Sequence, residues 1–464
     1  MGCVQSSENK TPAAGAKEAE TQQQVPDRTR RRLSVLKGAD SQVEEGATKA
    51  QQQSAATKFE TLLELLPAGD KRFSVAGLQP TGSQKGFEDK CKSVSSNYAG
   101  DQVNVAQFGL GYACKKGLKP ESPNQDDYFV LQVDNSCGIY GVFDGHGPFG
   151  HEVSHFVHQL LPSILLRSAD TLKSDPKEAL TKAFTKTHQQ AAKANEKQVL
   201  DCTLSGTTGT VLVLREEQNE GHIAHVGDSR AVIAELDEST GNLVGVELTP
   251  DHKPGLAAEK ARIHKNGGQV RCLNGDVNER VFLKGKLYPG LAMSRSIGDL
   301  VGASAGVISD PELKSFTIED KHQFVLICSD GVWEFISNQE VHKQRYSGYF
   351  FHHTRKSRKE FSFSHNVHNF FFLLLLLCDR QLSMDDINCS HPSENPYQAV
   401  DLVNKYDASQ AMQAAEELAK EAWKRWIAEE QTVVDDITVI LAHFQPSRAK
   451  SLLQNSAVST AAAA

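Results

Sequence analysis

Four acids stand where apolar strands begin or end: Asp126 in Asn124-Gln125-Asp126-Asp127-Tyr128, Asp144 in Val142-Phe143-Asp144-Gly145-His146-Gly147, Asp330 in Ser329-Asp330-Gly331-Val332-Trp333, and Asp435 just before Ile437. Carboxylates belong on surfaces, so acids that abut apolar runs need a reason to be there. Two of them about 4 Å apart repel by roughly 4 kcal/mol at an effective dielectric of 20, and several gathered together would oppose folding without a cation. Two divalent cations would balance the four charges. The donors are all oxygen, with no cysteine or paired histidine among them, which points to Mg²⁺ or Mn²⁺ and away from Zn²⁺. Gly145 lets its own carbonyl approach a metal with no Cβ in the way. Two such ions about 3.5 to 4 Å apart acidify a water and clamp phosphoryl oxygens, and His146 beside them is placed to protonate a leaving alkoxide. Taken alone, Asp-Gly-His-Gly is also an ordinary turn sequence. It is the three further strand-end acids that make it chemistry.

These acids need strands to hold them. Phe108 to Cys114, Tyr128 to Val133 and Ile139 to Phe143 read as strands separated by Gly, Pro and Asn turns, with the central loop following Phe143. Thr208 to Leu214, His222 to Val226, Ala231 to Glu235, Phe324 to Cys328 and Ile437 to Ala442 continue the pattern. Val153, Phe156, Val157, Leu160, Leu161 and Ile164 recur at helical spacing and are core residues. A second helix starts at Asp175-Pro176, an acid cap with proline at the first helical position and Glu178 three residues after the cap. Helices are also expected over Pro254 to Gly267 and, capped by Asp407, over Ala408 to Glu429.

The chain has 464 residues, 39% hydrophobic, enough for one large domain with appendages. A net charge of −8 gives no overall basic field, so nucleic acid is not an expected partner. Nine scattered cysteines without a C-x-x-C pair argue against a disulfide framework or zinc site and for a reducing setting. No apolar run reaches the length of a membrane span. Met1-Gly2-Cys3-Val4-Gln5-Ser6 fits N-myristoylation at Gly2, and Cys3 offers palmitoylation as the second signal that stable anchoring requires. Arg28, Arg30, Arg31 and Arg32 add attraction to an anionic leaflet. Ser34, just after the arginines, is either a basophilic kinase site whose phosphate would weaken that attraction or part of a solvated charge run. The expected location is the cytoplasmic face of a membrane, the plasma membrane first, and otherwise the cytoplasm. Residues 1–100 read as this anchor and a mostly disordered spacer, with a short amphipathic helix at Phe59 to Leu66, and 446–464 as a disordered tail.

Between 341 and 398 the texture changes. Arg, Lys, His and Phe crowd residues 342–368, and Phe370 to Leu377 is an unbroken apolar run without amphipathic periodicity. The favoured reading is a translated intron, because Phe and Leu codons are pyrimidine-rich like the tract before a splice acceptor. The other is a genuine insertion that docks on a partner or the membrane. The helical signal begun at Ser337-Asn338-Gln339-Glu340 resumes at Ala399-Val400-Asp401-Leu402-Val403.

Eight motifs in order carry a resemblance. They are Asn124-Gln125-Asp126, Asp144-Gly145-His146-Gly147, Ser205-Gly206-Thr207-Thr208, Val226-Gly227-Asp228-Ser229-Arg230, Thr249-Pro250-Asp251-His252-Lys253-Pro254, Ser294-Arg295-Ser296-Ile297-Gly298-Asp299, Ser329-Asp330-Gly331-Val332-Trp333 and Asp435-Asp436-Ile437-Thr438-Val439. Together they resemble the metal-dependent protein serine/threonine phosphatases of the PPM (type 2C) family, from about Gly109 to His443. The resemblance implies an α+β fold, an α-β-β-α sandwich of two antiparallel sheets flanked by helices with a binuclear centre at one end, over a catalytic domain of residues 101–445. It makes Asp144 the bridging ligand, Gly145 a carbonyl ligand, Asp126, Asp330 and Asp435 the remaining carboxylates, His146 the general acid, and Asp228 a ligand of a weaker third metal. Asp435 is preferred to Asp436 by register. Asp251, Asp299 and Glu334 carry a larger structural share, and Arg230 and Arg295 orient loops. Where many members hold substrate phosphate with an arginine, this chain has Glu121, and Lys116 or Lys119 is the replacement at hand. The expected partners are phosphorylated proteins and the membrane surface, and the expected state a monomer. The competing function classes are a pseudophosphatase that binds without turnover, disabled by 341–398, and a hydrolase of small phosphoesters.

Overall fold

The computed structural model describes residues 73–77, 92–96, 105–119, 123–132, 137–273, 278–336 and 399–444. The strands are β1 (Phe73–Gly77), β2 (Lys92–Ser96), β3 (Leu110–Lys115), β4 (Asp126–Gln132), β5 (Cys137–His146), β6 (Gly206–Thr207), β7 (Gly209–Arg215), β8 (Glu220–Val226), β9 (Arg230–Leu236), β10 (Leu243–Glu247), β11 (Gly268–Cys272), β12 (Glu279–Leu283), β13 (Pro289–Leu291), β14 (Ile297–Gly298), β15 (Glu312–Thr317), β16 (His322–Cys328) and β17 (Ile437–His443). The helices are α1 (Gly150–Arg167), α2 (Ala169–Ser174), α3 (Pro176–Glu196), α4 (Ala257–Lys265), α5 (Leu300–Ala303), α6 (Asp330–Trp333), α7 (Ala399–Val403) and α8 (Ala411–Glu430).

A nine-stranded sheet runs β15-β8-β7-β5-β4-β1-β2, with β6 and β14 laddered onto the end of β5, and a five-stranded sheet runs β10-β9-β16-β17-β3. All their pairings are antiparallel. Antiparallel sheets often wet one face, but these strands are apolar on both, and the period of two sorts their residues into separate layers. Tyr128, Val130, Tyr140 and Val142 point inward to meet Val325, Ile327 and Ile440 between the sheets. Their neighbours Phe129, Leu131, Ile139 and Phe143 point outward under α1 and α3. Val439 and Leu441 likewise face α7 and α8. The result is the expected α-β-β-α sandwich. A three-stranded sheet, β11-β12-β13, packs with α4 around a small core of its own.

Local signals fix two helix starts among the described residues. Asp175 caps α3 by accepting a hydrogen bond from Glu178 N–H at 3.0 Å, and a capping box at Asp407 and Gln410 starts the turn leading into α8. Three differences stand out. Strand β5 does not stop at Phe143: it carries Asp144, Gly145 and His146 within the strand, because β6 pairs with that end through Gly145↔Thr207 and His146↔Gly206. Strands β1 and β2 extend the large sheet through a stretch expected to be mostly spacer. Helix α4 starts at Ala257, three residues beyond Pro254. Ile336 and Ala399, on either side of 337–398, are buried in the same core cluster, so the chain leaves and rejoins one core. No helix among the described residues is long and apolar enough to cross a membrane. Gly2, Cys3, Ser34, the expected helix at 59–66, Glu121, residues 341–398 and the tail lie outside the described residues.

Candidate metal centre and its histidine

Asp126 opens β4 and sits directly opposite Asp144 in the β4–β5 register. Asp330 opens α6 just after β16 ends, and Asp435 lies two residues before β17 begins. Since β16 and β17 pair through Cys328↔Val439, both acids come to the same end of that sheet. Asp126 then joins the two sheets: its Oδ2 accepts hydrogen bonds from Ser329 Oγ and Thr438 Oγ1, each at 2.7 Å. The loop bearing Asp330 is fixed from behind by two indoles, Trp333 Nε1 donating to Cys328 O at 3.0 Å and Trp426 Nε1 to Gly331 O at 2.7 Å.

Asp436 does a different job from its neighbour. One of its oxygens accepts from Gly117 N–H at 2.7 Å and the other from Gln125 N–H at 2.8 Å, so it staples two loops together. Asp435 instead faces the Lys119 ammonium, as Asp228 faces Lys253 at 2.5 Å. Lys116 is not at the acids: it is buried, and its ammonium donates to the carbonyls of Gly117 and Lys119. Of the two lysines raised as replacements for the missing arginine, only Lys119 reaches the centre. Arg230 forms a two-pronged bond to Asp251, 3.0 Å on each prong, and Arg295 grips Glu259. Arg230 thus holds a loop acid and Arg295 an acid of helix α4.

Burial is the main reason the Asp126 carboxyl is pushed well above the usual range, with the Asp436 charge adding to it and the hydroxyls of Ser329 and Thr438 offsetting part. Asp436 is raised too, again chiefly by burial. A centre that crowds carboxylates under a desolvation penalty is one that a divalent cation relieves. Gly145 has a packing reason of its own, since a Cβ there would lie 2.4 Å from Gly150 O and 2.5 Å from Gln125 O. The donor set therefore fits Mg²⁺ or Mn²⁺. No group of three with ligand atoms mutually within 4.8 Å is drawn from these acids; among the described residues such groups are Asp127, His155 and His158, and His225, His252 and Glu312. Neither triple was read from the sequence. An ion held here by few protein ligands would complete its shell with water.

Asp299, with its larger structural share, sits on His146, with Nε2 to Oδ2 at 2.7 Å. Ser296 Oγ donates to the same Oδ2 at 2.5 Å. The placement follows from a three-strand ladder in which Gly206 pairs with His146 on one side and Gly298 on the other. A Cβ on Gly206 would come within 2.1 Å of Asp299 Oδ2 and 2.9 Å of His146 Nε2. Glycine in Ser205-Gly206-Thr207-Thr208 is thus what lets the pair close, and the spacing of that motif and Ser294 to Asp299 was the available signal.

The family model for protein phosphatase 2C matches residues 118–344. The chain is 42% identical over 235 residues to probable protein phosphatase 2C 64 of Oryza sativa subsp. japonica, covering 49% of this chain but only 53% of that protein. It is 40% identical over 254 residues to probable protein phosphatase 2C 61 of Arabidopsis thaliana, covering 54% of this chain and 70% of that one. The fold is similar to a crystal structure of serine-threonine phosphatase 2C from Toxoplasma gondii, with a TM-score of 0.53 and 16% identity over 80% of this chain and 99% of that one. With the relationship to the Arabidopsis protein spanning more than two thirds of its length, the chain belongs to the protein phosphatase 2C family of protein serine/threonine phosphatases.

Proposed function

We propose that this chain is a metal-dependent protein phosphatase that hydrolyses phosphoserine and phosphothreonine in proteins by attack of water. The observation that carries the reading is the meeting of Asp126 and Asp144 across β4 and β5 at the end of the sandwich where Asp330 and Asp435 also lie. Asp126, Asp144, Asp330, Asp435 and the Gly145 carbonyl would hold two Mg²⁺ or Mn²⁺, and Asp228 a weaker third. When bound, such ions supply Lewis-acid chemistry, acidifying water and neutralising charge on phosphoryl oxygens. His146 keeps Nε2 on Asp299, which leaves Nδ1, buried in the metal-free chain, as the nitrogen that would release a proton to the leaving serine or threonine oxygen. Asp299 fixes the ring through that contact. Lys119, which faces Asp435, is a cation that would take up substrate phosphate in place of an arginine.

The test is phosphate release from a phosphothreonine peptide by the full chain, with Mn²⁺ or with chelator, beside a version lacking residues 341–398. Mn²⁺-dependent release by at least the shortened chain is expected, because Ile336 and Ala399 rejoin one core. Activity confined to the shortened form makes 341–398 inhibitory or spurious. Silence in both, with Mn²⁺ still bound, turns the reading to a pseudophosphatase; release from small phosphoesters alone turns it to a metabolite hydrolase.

The N-terminal pattern supports acylation at Gly2 and Cys3, holding a monomeric enzyme at the cytoplasmic face of a membrane, the plasma membrane first, with phosphorylation of Ser34 loosening it. In cells fed a myristate analogue, label is expected in the wild-type chain and absent from Gly2→Ala, which should move from the membrane to the soluble fraction. An unlabelled wild type would end this part of the reading.

A further inference from the structure

On the opposite face of β4 from Asp126 lies a second group that the phosphatase chemistry does not use. Asp127 is fully buried against α1, where His155 and His158 sit one turn apart. Both imidazoles converge on one oxygen: His158 Nδ1 lies 3.0 Å and His155 Nδ1 3.4 Å from Asp127 Oδ2. The other carboxylate oxygen is already held, accepting from Tyr128 N–H at 2.9 Å. We propose that Asp127, His155 and His158 form a transition-metal site of the Zn²⁺ class, separate from the Mg²⁺/Mn²⁺ centre.

The spacing is the first argument. Ligands about 2.0–2.1 Å from a tetrahedral ion stand roughly 3.3 Å from one another, and the two ring nitrogens lie near that distance from Oδ2. A separation of 3.4 Å is too long for a good N–H···O bond but suits the edge of a coordination tetrahedron. The donors are the second argument: two imidazoles and one carboxylate suit Zn²⁺, Co²⁺ or Ni²⁺, whereas the strand-end acids offer only oxygen. The third is support around the ligands. His155 Nε2 is 3.1 Å from the Gln159 amide. With that amide turned so that its oxygen accepts from Nε2–H, Nδ1 is left as the bare ligand nitrogen. His155 is the partly exposed member, with a side chain 19% accessible, although its Nδ1 is itself buried. His151 precedes it by one turn on the same helix face.

The other close triple does not qualify. His252 Nδ1 accepts from Gly227 N–H at 3.1 Å, which puts its proton on Nε2, the atom facing Glu312. His225 Nε2 is engaged with Pro250 O at 2.9 Å, and the two rings stack face to face at 4.4 Å. That triple is a packed structural pair.

An ion bound at Asp127 would pin α1, which begins four residues after His146, to the strand that begins with Asp126. The test uses the full chain, stripped of metal, held in excess Mg²⁺ and titrated with Co²⁺. One equivalent should produce the visible d–d absorption of a tetrahedral N/O site, displaced by Zn²⁺. His155→Gln, at the accessible position, should weaken Co²⁺ affinity by at least about 100-fold with the circular dichroism unchanged. Asp144→Asn should leave the band intact. The absence of a tetrahedral band in the wild type, or a band that survives in both His155→Gln and Asp127→Asn, would overturn the site. Loss of the band in Asp144→Asn with retention in His155→Gln would reassign it to the strand-end acids.

Discussion

Asp144→Asn is expected to lower phosphate release by at least about 10³-fold, a loss of roughly 4 kcal/mol of transition-state stabilisation, with no rescue at high Mn²⁺. The backbone at Asp144 is pinned on both sides by Thr208, whose hydroxyl accepts from Asp144 N–H and whose N–H donates to Asp144 O, each at 2.9 Å. Asparagine has the same shape and leaves those bonds alone. The fold therefore stays, and what goes is one negative charge facing Asp126 across the ladder. On the proposed reading, losing this ligand would remove both the compensation of the acid cluster and the ordering of water, so the penalty should exceed that of replacing His146, where the metal ligands remain. Initial rates across a Mn²⁺ titration, with circular dichroism as the fold control, measure this. Near-normal turnover in Asp144→Asn would remove the paired-ion mechanism.

Much of this centre could be read from residue types alone, for a physical reason: a carboxylate next to a buried strand is improbable without a partner, so each of the four strand-end acids advertised itself. The layers were legible because strands buried on both faces leave long apolar runs, and those runs are what carry Phe129, Val130 and Leu131 into two different cores. What escaped was whatever depends on pairing between distant strands. Gly145 and His146 read as a loop because the β6 that extends their strand is two residues long and has no signal of its own. Asp299 read as structural because only the register through Gly206 brings it to His146. Asp127 was passed over beside Asp126, although alternation along a strand sends adjacent side chains to opposite faces and so to different partners. Strand β2, Lys92–Ser96, is Ser-rich with a single apolar residue, and β1, Phe73–Gly77, is a five-residue alternation too short to stand out beside it.

Asp126 gives the second large effect, and here stability and function should move in opposite directions. In the metal-free chain its carboxyl is raised well above the usual range, first by burial and then by Asp436. An unfolded aspartate ionises near pH 3.9, so the folded chain holds this proton more tightly than the unfolded one. Stability from this residue is thus fully present below about pH 3.9 and is lost as pH rises through the higher folded value. Metal-free protein should accordingly melt at a lower temperature at pH 7 than at pH 5 on this account. Asp126→Asn removes the titration while keeping an acceptor for Ser329 Oγ and Thr438 Oγ1, and should stabilise the chelated chain at neutral pH by about 1–2 kcal/mol. The same change should abolish most of the rise in melting temperature that Mn²⁺ gives the wild type, since ligand-induced stabilisation scales with affinity for the folded state. Melts of both chains in chelator and in Mn²⁺, at pH 5 and pH 7, decide the matter. A mutant destabilised equally at both pH values would show that the Asp126 charge costs the fold nothing. The expected pattern, a gain without metal and a loss with it, means that the fold tolerates a strained carboxylate here because a cation is meant to relieve it.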